Sequence, residues 1–283
     1  MSSPARTTDD PAVILQISDT HIAGPDGPAE TRGELLAVAD RVRTSGLGID
    51  AIVVSGDIAD DGHPEAYRFV RETIGGLAAE IGALFVPVIG NHDLRGPFRE
   101  VFFGGDPADD SPLDGVAWCR PRCGGPVRII RLDTVLPGSS AGQVTPEQLA
   151  WLGDVLAEPA PGGSVLVMHH PPVPSFQLSA VPHEWADRDL LAPVIADSDV
   201  RIILSGHVHL SSVGFCAGRP VAICGALSGN QDALARRDAV RTWDGNRTVN
   251  VVLLFADQVL INPASVREFP TVQPARYIQR RSA

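Results

Sequence analysis

Residues Ala51–Asp61 read AIVVSGDIADD, and this stretch predicts how the whole chain folds. The run Ile52-Val53-Val54 is apolar and β-branched, which is typical of a strand buried on both faces of a parallel sheet. Ser55-Gly56 ends the strand and places Asp57 at its carboxyl end, the edge of an open α/β sheet where ligands bind. Taken alone, the Gly-Asp pair is equally well explained by a turn with a capping aspartate.

Four other strand-like runs end in polar residues that can bind metal. They are Ile14–Ser18, Leu84–Ile89, Val165–Val167 and Ile202–Ser205, followed by Asp19-Thr20-His21, Gly90-Asn91-His92-Asp93, Met168-His169-His170-Pro171-Pro172 and Gly206-His207-Val208-His209. Because the carboxyl ends of parallel strands meet at one sheet edge, the sequence predicts a cluster of Asp, Asn and His side chains there. We expect Asp57 to be a carboxylate shared between two metal ions.

The spacing and type of these residues indicate which metals they bind. In an extended chain, residues i and i+2 point the same way, so Asp19 and His21 can reach one ion. His207 and His209 repeat that spacing. Oxygen and imidazole ligands without thiolate favour Mn, Fe, Co, Ni or Zn over Cu(I) or an iron–sulfur cluster. Several neutral imidazoles also argue against a site built only for Mg or Ca.

Composition limits the classes of function that remain. The chain has 283 residues, 44% of them hydrophobic, which suits one large α/β domain with a sizeable core. A net charge of -11 repels nucleic acid and anionic lipid, so binding to nucleic acid is disfavoured. The first twelve residues lack the apolar segment of a signal peptide, and no run is long enough to span a bilayer, which predicts a cytoplasmic protein. In that compartment the four cysteines, Cys119, Cys123, Cys216 and Cys224, are expected to be ordinary thiols rather than a disulfide or a metal site.

The remaining segments predict helices in the first part of the chain and hairpins near its end. Helix starts are expected at Thr31, where Glu34 completes a capping box, at Pro64, and at Thr145, where Pro146 and Gln148 complete a second box. A short helix over Phe98–Phe103 follows a strand, and Gly104–Gly115 reads as a loop. Further strands are predicted over Val127–Leu132, Val213–Phe215, Val221–Cys224, Val249–Phe255 and Val259–Ile261. This order favours two facing sheets flanked by helices.

The five polar motifs are D-x-H, G-D-x-x-D, G-N-H-D, H-H-P-P and G-H-x-H, in that order along the chain. This series resembles the calcineurin-like metallophosphoesterases, and the flanking residues ISDTHI, MHHPPVPS and SGHVHLS are most similar to their class III cyclic nucleotide phosphodiesterases. The resemblance extends from Val13 to the hairpins after His209. It implies an α/β fold, the four-layer α/β/β/α sandwich of two mixed sheets. We expect this domain to cover residues 11–262, between a disordered segment at 1–10 and a polar tail at 263–283.

The resemblance also assigns roles to residues of this chain. The metal ligands that it implies are Asp19, His21, Asp57 and His209 for one ion, and Asp57, Asn91, His169 and His207 for the other. His92 and Asp60 are the implied catalytic residues, His92 facing the phosphate and Asp60 orienting a ligand or the bridging solvent. Asn91, His92 and His209 are the implied substrate contacts. The implied cofactors are two divalent or trivalent transition-metal ions, Mn or Fe, with Zn, Co and Ni as alternatives. The positive charge of two divalent ions exceeds the negative charge of two carboxylates, so the pocket is cationic although the protein is acidic.

The function implied is hydrolysis of cyclic nucleotides such as cyclic AMP to nucleoside monophosphates. Hydrolysis of glycerophosphodiesters or of many phosphodiesters on the same site is the alternative, and a metal-binding scaffold without turnover is disfavoured because a scaffold has no use for His92. The expected partner is therefore a small phosphodiester, with no nucleic acid and no integral membrane segment. The sequence leaves the oligomeric state open, a homodimer included.

The other histidines and two loops bear on specificity. His63 precedes a helix-start proline and is expected to be a cap or a surface residue. His170 is expected to point away from the site or to support the ligands from behind. His183 lies in a loop that can reach the cleft but is not expected to contact it. Some members of the resembled family carry a histidine in the loop at 137–142, and this chain has none there. Selectivity for the base is expected to come from the loops Asp93–Phe98 and Ser175–His183, the second with Phe176 and Leu178. These loops offer few fixed hydrogen-bonding groups.

Overall fold

The computed structural model describes residues 10–25, 27, 29–243, 245 and 247–269. The segment predicted to be disordered at 1–10 lies outside the described residues except for Asp10, and so does the predicted tail from residue 270 onward. Within this part of the chain the elements are, in order, β1(Ala12–Ile17), α1(Glu30–Ser45), β2(Ala51–Ser55), α2(Pro64–Val70), α3(Gly76–Ile81), β3(Leu84–Val88), α4(Arg95–Phe103), β4(Gly115–Cys119), β5(Val127–Arg131), α5(Pro146–Leu156), β6(Ser164–Val167), α6(Leu191–Ile195), β7(Val200–Ser205), β8(Ser212–Cys216), β9(Arg219–Ile223), β10(Asn230–Gln231), β11(Thr242–Trp243), β12(Thr248–Leu254) and β13(Val259–Ser265).

The first sheet has five strands in the order β13-β12-β1-β2-β3. Strands β1, β2 and β3 are parallel, with Leu15 opposite Ile52 and Ile52 opposite Phe85. β12 and β13 add an antiparallel hairpin to the edge of β1. Every residue of β1 and β2 is buried, which confirms the doubly covered parallel strand predicted from the apolar run at Ile52-Val53-Val54.

The second sheet has six strands in the order β4-β5-β6-β7-β9-β8. β5, β6, β7 and β9 are parallel, and β4 and β8 pair antiparallel at the two edges. The run Val127–Leu132 was expected to be a strand, and β5 confirms it. The edge strand β4 was not predicted, because it is short and follows a polar loop. Its outward side chains Val116 and Trp118 are exposed, so burial gives its sequence no strong pattern.

Three apolar clusters show that the chain forms four layers. Alternate residues of the strands, such as Val53 and Val165, meet between the two sheets. The opposite face of the first sheet packs against α1, α2, α3 and α4. The opposite face of the second sheet packs against α5 and α6. The helix, sheet, sheet, helix order predicted from the motif series is therefore confirmed.

Two of the predicted helix starts are confirmed, and the start of α1 is a correction. Thr145 and Gln148 form the capping box of α5, and His63 caps α2 by accepting from the Glu65 amide at 3.2 Å. In α1 the predicted box between Thr31 and Glu34 is absent, and the helix begins at Glu30 without a side-chain cap. The Thr31 hydroxyl instead donates to the His21 carbonyl, and Glu34 forms an ion pair with Arg247. Both side chains are thus engaged in tertiary contacts that a local cap would forbid.

The helix that begins at Pro64 is continuous through a π-helical turn over Arg71–Gly75 into α3. At the other end of the chain, β13 runs to Ser265, three residues beyond the boundary expected for the domain, and Val266 is buried. Among the described residues, none of the helices combines the length and the apolarity that crossing a membrane requires. The four cysteines are free thiols.

Candidate active site

The predicted site residues follow β1, β2, β3, β6 and β7 at the carboxyl edges of both sheets. Six described residues other than glycine have a positive φ angle, and five of them belong to the predicted ligand set. A non-glycine residue in this region carries local strain, and such strain concentrates at functional sites, where the surrounding structure holds it. The five are Asp19 (φ 51°), His21 (φ 41°), Asp57 (φ 48°), His207 (φ 74°) and His209 (φ 51°).

Two motif glycines are required by close packing at this edge. A Cβ atom on Gly56 would lie 2.2 Å from Nδ1 of His169, and the φ of Gly56 is 100°. A Cβ atom on Gly90 would lie 2.2 Å from the backbone nitrogen of Asp57. Only glycine lets the backbone approach this closely. The Gly before Asp57 and the Gly before Asn91 therefore allow ligands from different strands to converge.

The first group of side chains contains Asp19, His21, Asp57 and His209, whose donor atoms all lie within 4.8 Å of one another. Nε2 of His209 is 3.3 Å from Oδ1 of Asp19, and Nε2 of His21 is 3.6 Å from Oδ2 of Asp57. Asp19 is fully buried and accepts hydrogen bonds from the backbone amide of His207 at 3.0 and 3.1 Å. This group has the composition that the motifs imply for one metal ion.

The second group contains Asp57, His169 and His207, again within 4.8 Å of one another. Nε2 of His169 lies 3.2 Å from Oδ2 of Asp57. Asn91 lines the same cavity as Asp57 and His207. Asp57 is the residue common to both groups, which is the position that a bridging carboxylate needs.

Hydrogen bonds on the outer side of the rings orient three of these histidines. Nδ1 of His169 lies 2.9 Å from the Ser55 carbonyl, and Nε2 of His207 lies 3.0 Å from the His183 carbonyl. Nδ1 of His21 lies 3.0 Å from Oδ1 of Asp60. Each ring donates its N–H outward and keeps its second nitrogen for the cluster, as metal-bound histidines do.

The charged side chains of the cluster shift one another's pKa values. Burial alone would raise the pKa of Asp57, but the charge and hydrogen bond of His169 and the charge of His21 hold it well below its usual range. Burial opposes protonation of His169, yet the Asp57 carboxylate raises its pKa to about 9. The pKa of His207 falls to about 4 because the ring is buried and faces His169. The carboxylates at this edge are therefore ionised, and positive charge beside them, carried by His169 in the free protein, stabilises that state.

The residues present fit a pair of transition-metal ions. Oδ1 of Asn91 is buried and has no hydrogen-bond partner among the described residues, which costs free energy unless something binds it. Carboxylate, amide and imidazole donors together suit Mn, Fe, Co, Ni or Zn. The chemistry of the donor set and the unpartnered amide oxygen therefore agree.

His92 lies beside the cluster and faces the cavity. Its backbone amide donates to Oδ1 of Asp57 at 2.9 Å, and its Nδ1 donates to the Asp60 carbonyl at 2.8 Å. The ring meets His21 edge to face, with centroids 4.6 Å apart, and part of it is exposed to the cavity. His92 is thus oriented by the chain and keeps its Nε2 edge for a ligand. The Asp60 carboxylate contacts His21 and so orients a predicted metal ligand.

Asp93 is a residue of this site that sequence reasoning did not assign. It is buried and accepts from the backbone amides of Ile58, Ala59 and Gly90 at 3.1, 2.8 and 2.9 Å. Burial, followed by the charge of Asp57, raises its pKa to about 6. Through these hydrogen bonds the carboxylate holds the loop after β2 against the loop after β3. Its position directly after His92 in the sequence is the feature that could have identified it.

A cavity of about 480 Å³ opens over the cluster, a size typical of small-molecule sites. The segment 175–183 lines it, as predicted, but Phe176, Leu178 and residues 93–98 do not, contrary to expectation. His183 reaches the cavity, contrary to expectation, and its Nδ1 lies 2.6 Å from the Ser140 hydroxyl. His170 is fully buried between Thr134 and the Ser140 carbonyl, away from the cavity. The cavity residues outside the predicted site set are Ser140, Gln177, Ser179, Ala180, His183, Val208 and Gln231.

Comparison with known proteins identifies the relatives of this chain. A cAMP/cGMP dual specificity phosphodiesterase of Mycobacterium tuberculosis is 39% identical over 252 residues, covering 88% of this chain and 77% of the relative. A glycerophosphodiester phosphodiesterase of Enterobacter lignolyticus is 30% identical over 217 residues, covering 70% of each chain.

Among solved structures, a dimetal phosphatase from Danio rerio superposes with a TM-score of 0.62 at 16% identity, covering 92% of this chain and 98% of that one. At that identity the likeness concerns the fold alone. The sequence profile described as calcineurin-like phosphoesterase matches residues 12–211, which is more than half of the chain and includes every residue of the Asp and His cluster. The chain therefore belongs to the calcineurin-like phosphoesterase family.

Proposed function

We propose that this protein is a phosphodiesterase with two metal ions that hydrolyses cyclic nucleotides to nucleoside monophosphates. The observation that carries the proposal is the position of Asp57, which contributes to both ligand groups beneath a cavity bordered by His92. The similarity to a cAMP/cGMP phosphodiesterase at 39% identity supports the substrate class.

In this proposal one ion is held by Asp19, His21, Asp57 and His209. The other is held by Asp57, Asn91, His169 and His207. When bound, such a pair supplies an activated water and neutralises charge on the phosphate. Manganese and iron are the expected ions, with zinc, cobalt or nickel as alternatives on the same donors.

The side chains of the protein supply binding and proton transfer. Asn91, His92 and His209 face the cavity and are the proposed contacts to the phosphodiester. His92 donates Nδ1–H to the Asp60 carbonyl, so in its protonated form Nε2–H is free to donate to a phosphate oxygen and then to the leaving 3′ oxygen. Asp60 acts on the reaction through His21, whose ring it holds in place.

A second candidate function is hydrolysis of glycerophosphodiesters, and its support is the 30% identical relative with that activity in its name. The same metal and histidine chemistry serves both substrates, because the reacting group is a singly charged phosphodiester in each case. The two functions differ only in what fills the rest of the cavity. A scaffold without turnover is a weaker candidate, since a scaffold gains nothing from the orientation of His92.

The test is turnover on a panel of substrates with Mn²⁺ added. The panel holds cyclic AMP, cyclic GMP, glycerophosphocholine and bis(p-nitrophenyl) phosphate, with Asp57→Asn as the inactive control. We expect kcat/KM for a cyclic nucleotide to exceed that for glycerophosphocholine by at least about tenfold, a difference of about 1.4 kcal/mol. Rapid cleavage of glycerophosphocholine without cyclic nucleotide turnover would establish the second candidate function. No turnover on any substrate would favour a metal-binding scaffold without enzymatic activity.

A further inference from the structure

One part of the cavity wall consists of two segments that are remote in sequence. One contains residues 175–183 and the other residues 230–243. They are joined by two hydrogen bonds, from the Leu178 amide to the Arg237 carbonyl at 2.8 Å and from Nε of Arg237 to the Phe176 carbonyl at 2.7 Å. The wall is therefore one connected structure.

This wall is also attached to the two histidines of the G-H-x-H motif. The His183 carbonyl accepts from Nε2 of His207 at 3.0 Å. The backbone amide of Gln231 donates to the His209 carbonyl at 2.6 Å. Because both contacts reach predicted metal ligands, the wall has a fixed position relative to the place where a phosphate would bind.

Two carboxamide side chains of the wall line the cavity without satisfying their own hydrogen bonds. Gln177 is only 3% exposed, and its Oε1 has no hydrogen-bond partner in the described part of the chain. Oε1 of Gln231 is buried and equally unpartnered among those residues. A buried amide oxygen without a donor lacks the hydrogen bond that such groups normally make, so it is available to accept one from a ligand.

We infer that Gln177, together with Gln231 of the same cavity wall, recognises the purine base of the substrate. This inference rests on the proposed cyclic nucleotide activity. With the phosphate at Asn91, His92 and His209, the rest of the nucleotide occupies the same cavity, and the two carboxamides are among the residues that line it. Gln177 is thus a specificity-determining residue that contacts the base and takes no part in the chemistry at phosphorus.

A carboxamide suits both purines because it carries a donor and an acceptor side by side. Toward adenine, Oε1 accepts from the exocyclic amino group while Nε2 donates to a neighbouring ring nitrogen. After half a turn of the amide, Nε2 donates to the guanine O6 and Oε1 accepts from N1–H. A carboxylate in the same place can only accept, so it pairs with the N1–H and amino group of guanine and repels the lone pair on N1 of adenine.

The experiment compares Gln177→Glu and Gln177→Ala with wild type on cyclic AMP, cyclic GMP and bis(p-nitrophenyl) phosphate. Gln258→Glu is the matched control, because Gln258 is exposed in the hairpin at the opposite end of the first sheet. We expect Gln177→Ala to lower kcat/KM for both cyclic nucleotides by about tenfold to a hundredfold and to change the aryl diester by less than about twofold. Gln177→Glu should raise the ratio of kcat/KM for cyclic GMP to kcat/KM for cyclic AMP by about tenfold or more. The variant should also bind the product GMP more tightly relative to AMP than wild type does.

An unchanged purine ratio in Gln177→Glu, with wild type active on cyclic nucleotides, overturns the inference and leaves the proposed function standing. An equal loss on the aryl diester in Gln177→Ala also overturns it, because the residue would then be structural. Wild type that cleaves only the aryl diester contradicts the proposed function, and the inference fails with it. If thermal melting shows that both Gln177 variants unfold, Gln231→Glu takes their place, and an unchanged ratio there is equally decisive.

Discussion

The Nε2 atoms of His21 and His209 lie 3.2 Å apart, with the two rings meeting edge to face at a centroid distance of 5.1 Å. Nδ1 of His21 is committed to the Asp60 carboxylate, so the Nε2 that faces His209 carries a lone pair when the ring is neutral. A lone pair on Nε2 of His209 would repel it at this distance, so a proton or a metal ion between the two nitrogens stabilises the arrangement. The carboxylates of Asp19 and Asp57 complete the group, and these four side chains are the ones proposed to hold the first cation.

Metal content is the first prediction. We expect wild type dialysed against metal-free buffer, after loading with Mn²⁺, to retain two ions per chain by elemental analysis. Asp57→Asn should weaken both ions because its carboxylate belongs to both ligand groups, whereas His21→Ala should mainly weaken one. Asp257→Asn, at an exposed position, serves as the control. A single ion in fully active wild type would contradict the two-ion proposal.

Removal of the His92 ring gives the second prediction. General acid catalysis contributes about 10²–10⁴ in rate, so His92→Ala should lose activity in that range on a cyclic nucleotide while it retains both metal ions. The loss should be smaller on an aryl diester, whose leaving group has little need of a proton. His63→Ala, which removes a helix cap outside the site, should leave kcat unchanged. Equal losses on alkyl and aryl diesters would exclude His92 as the general acid.

Base selectivity is the third prediction. The chemistry at phosphorus accepts many diesters, so discrimination must come from the cavity wall, and a carboxamide that can serve either purine discriminates weakly. We expect kcat/KM for cyclic AMP and cyclic GMP to differ by less than about a hundredfold, roughly 3 kcal/mol. Steady-state kinetics on both nucleotides measures this directly. A much sharper preference would mean that groups beyond the two glutamines read the base.

The pH dependence of stability gives the fourth prediction, and it concerns Asp114. Burial raises the pKa of this carboxyl to about 6 despite its hydrogen bond from the Asp133 amide. Between the unfolded pKa, about 3.9, and the folded value, the folded state binds the extra proton, so stability falls as pH rises and is constant above about pH 6. The loss is at most about 3 kcal/mol.

The measurement for Asp114 is urea unfolding between pH 4 and pH 7. Asp114→Asn keeps an oxygen for the Asp133 amide and for Nε2 of Gln148 but cannot ionise. The difference in unfolding free energy between this variant and wild type should therefore grow in favour of the variant as the pH rises. Asp110→Asn, at an exposed position, should show no such trend. A difference that does not vary with pH would show that Asp114 titrates normally.

Local sequence patterns correctly predicted the elements that are determined by residues close together in the sequence. The buried strand before Asp57 could be recognised because an apolar β-branched run is determined by its own side chains. The box at Thr145 could be recognised because both of its hydrogen bonds lie within four residues. The same pattern at Thr31 failed, since distant partners, His21 and Arg247, compete for those side chains.

The sequence by itself determined which residues stand at the carboxyl ends of the central strands, because parallel strands of one sheet end at the same edge. Only the tertiary structure decided that the carboxyl edges of two separate sheets meet, and what surrounds them. Gln177 and Gln231 are 54 residues apart in the sequence, in segments with no regular pattern. Both line the cavity because hydrogen bonds of Arg237 join the two segments. Such contacts depend on the distance between folded elements rather than on neighbouring residues, so no local pattern can encode them.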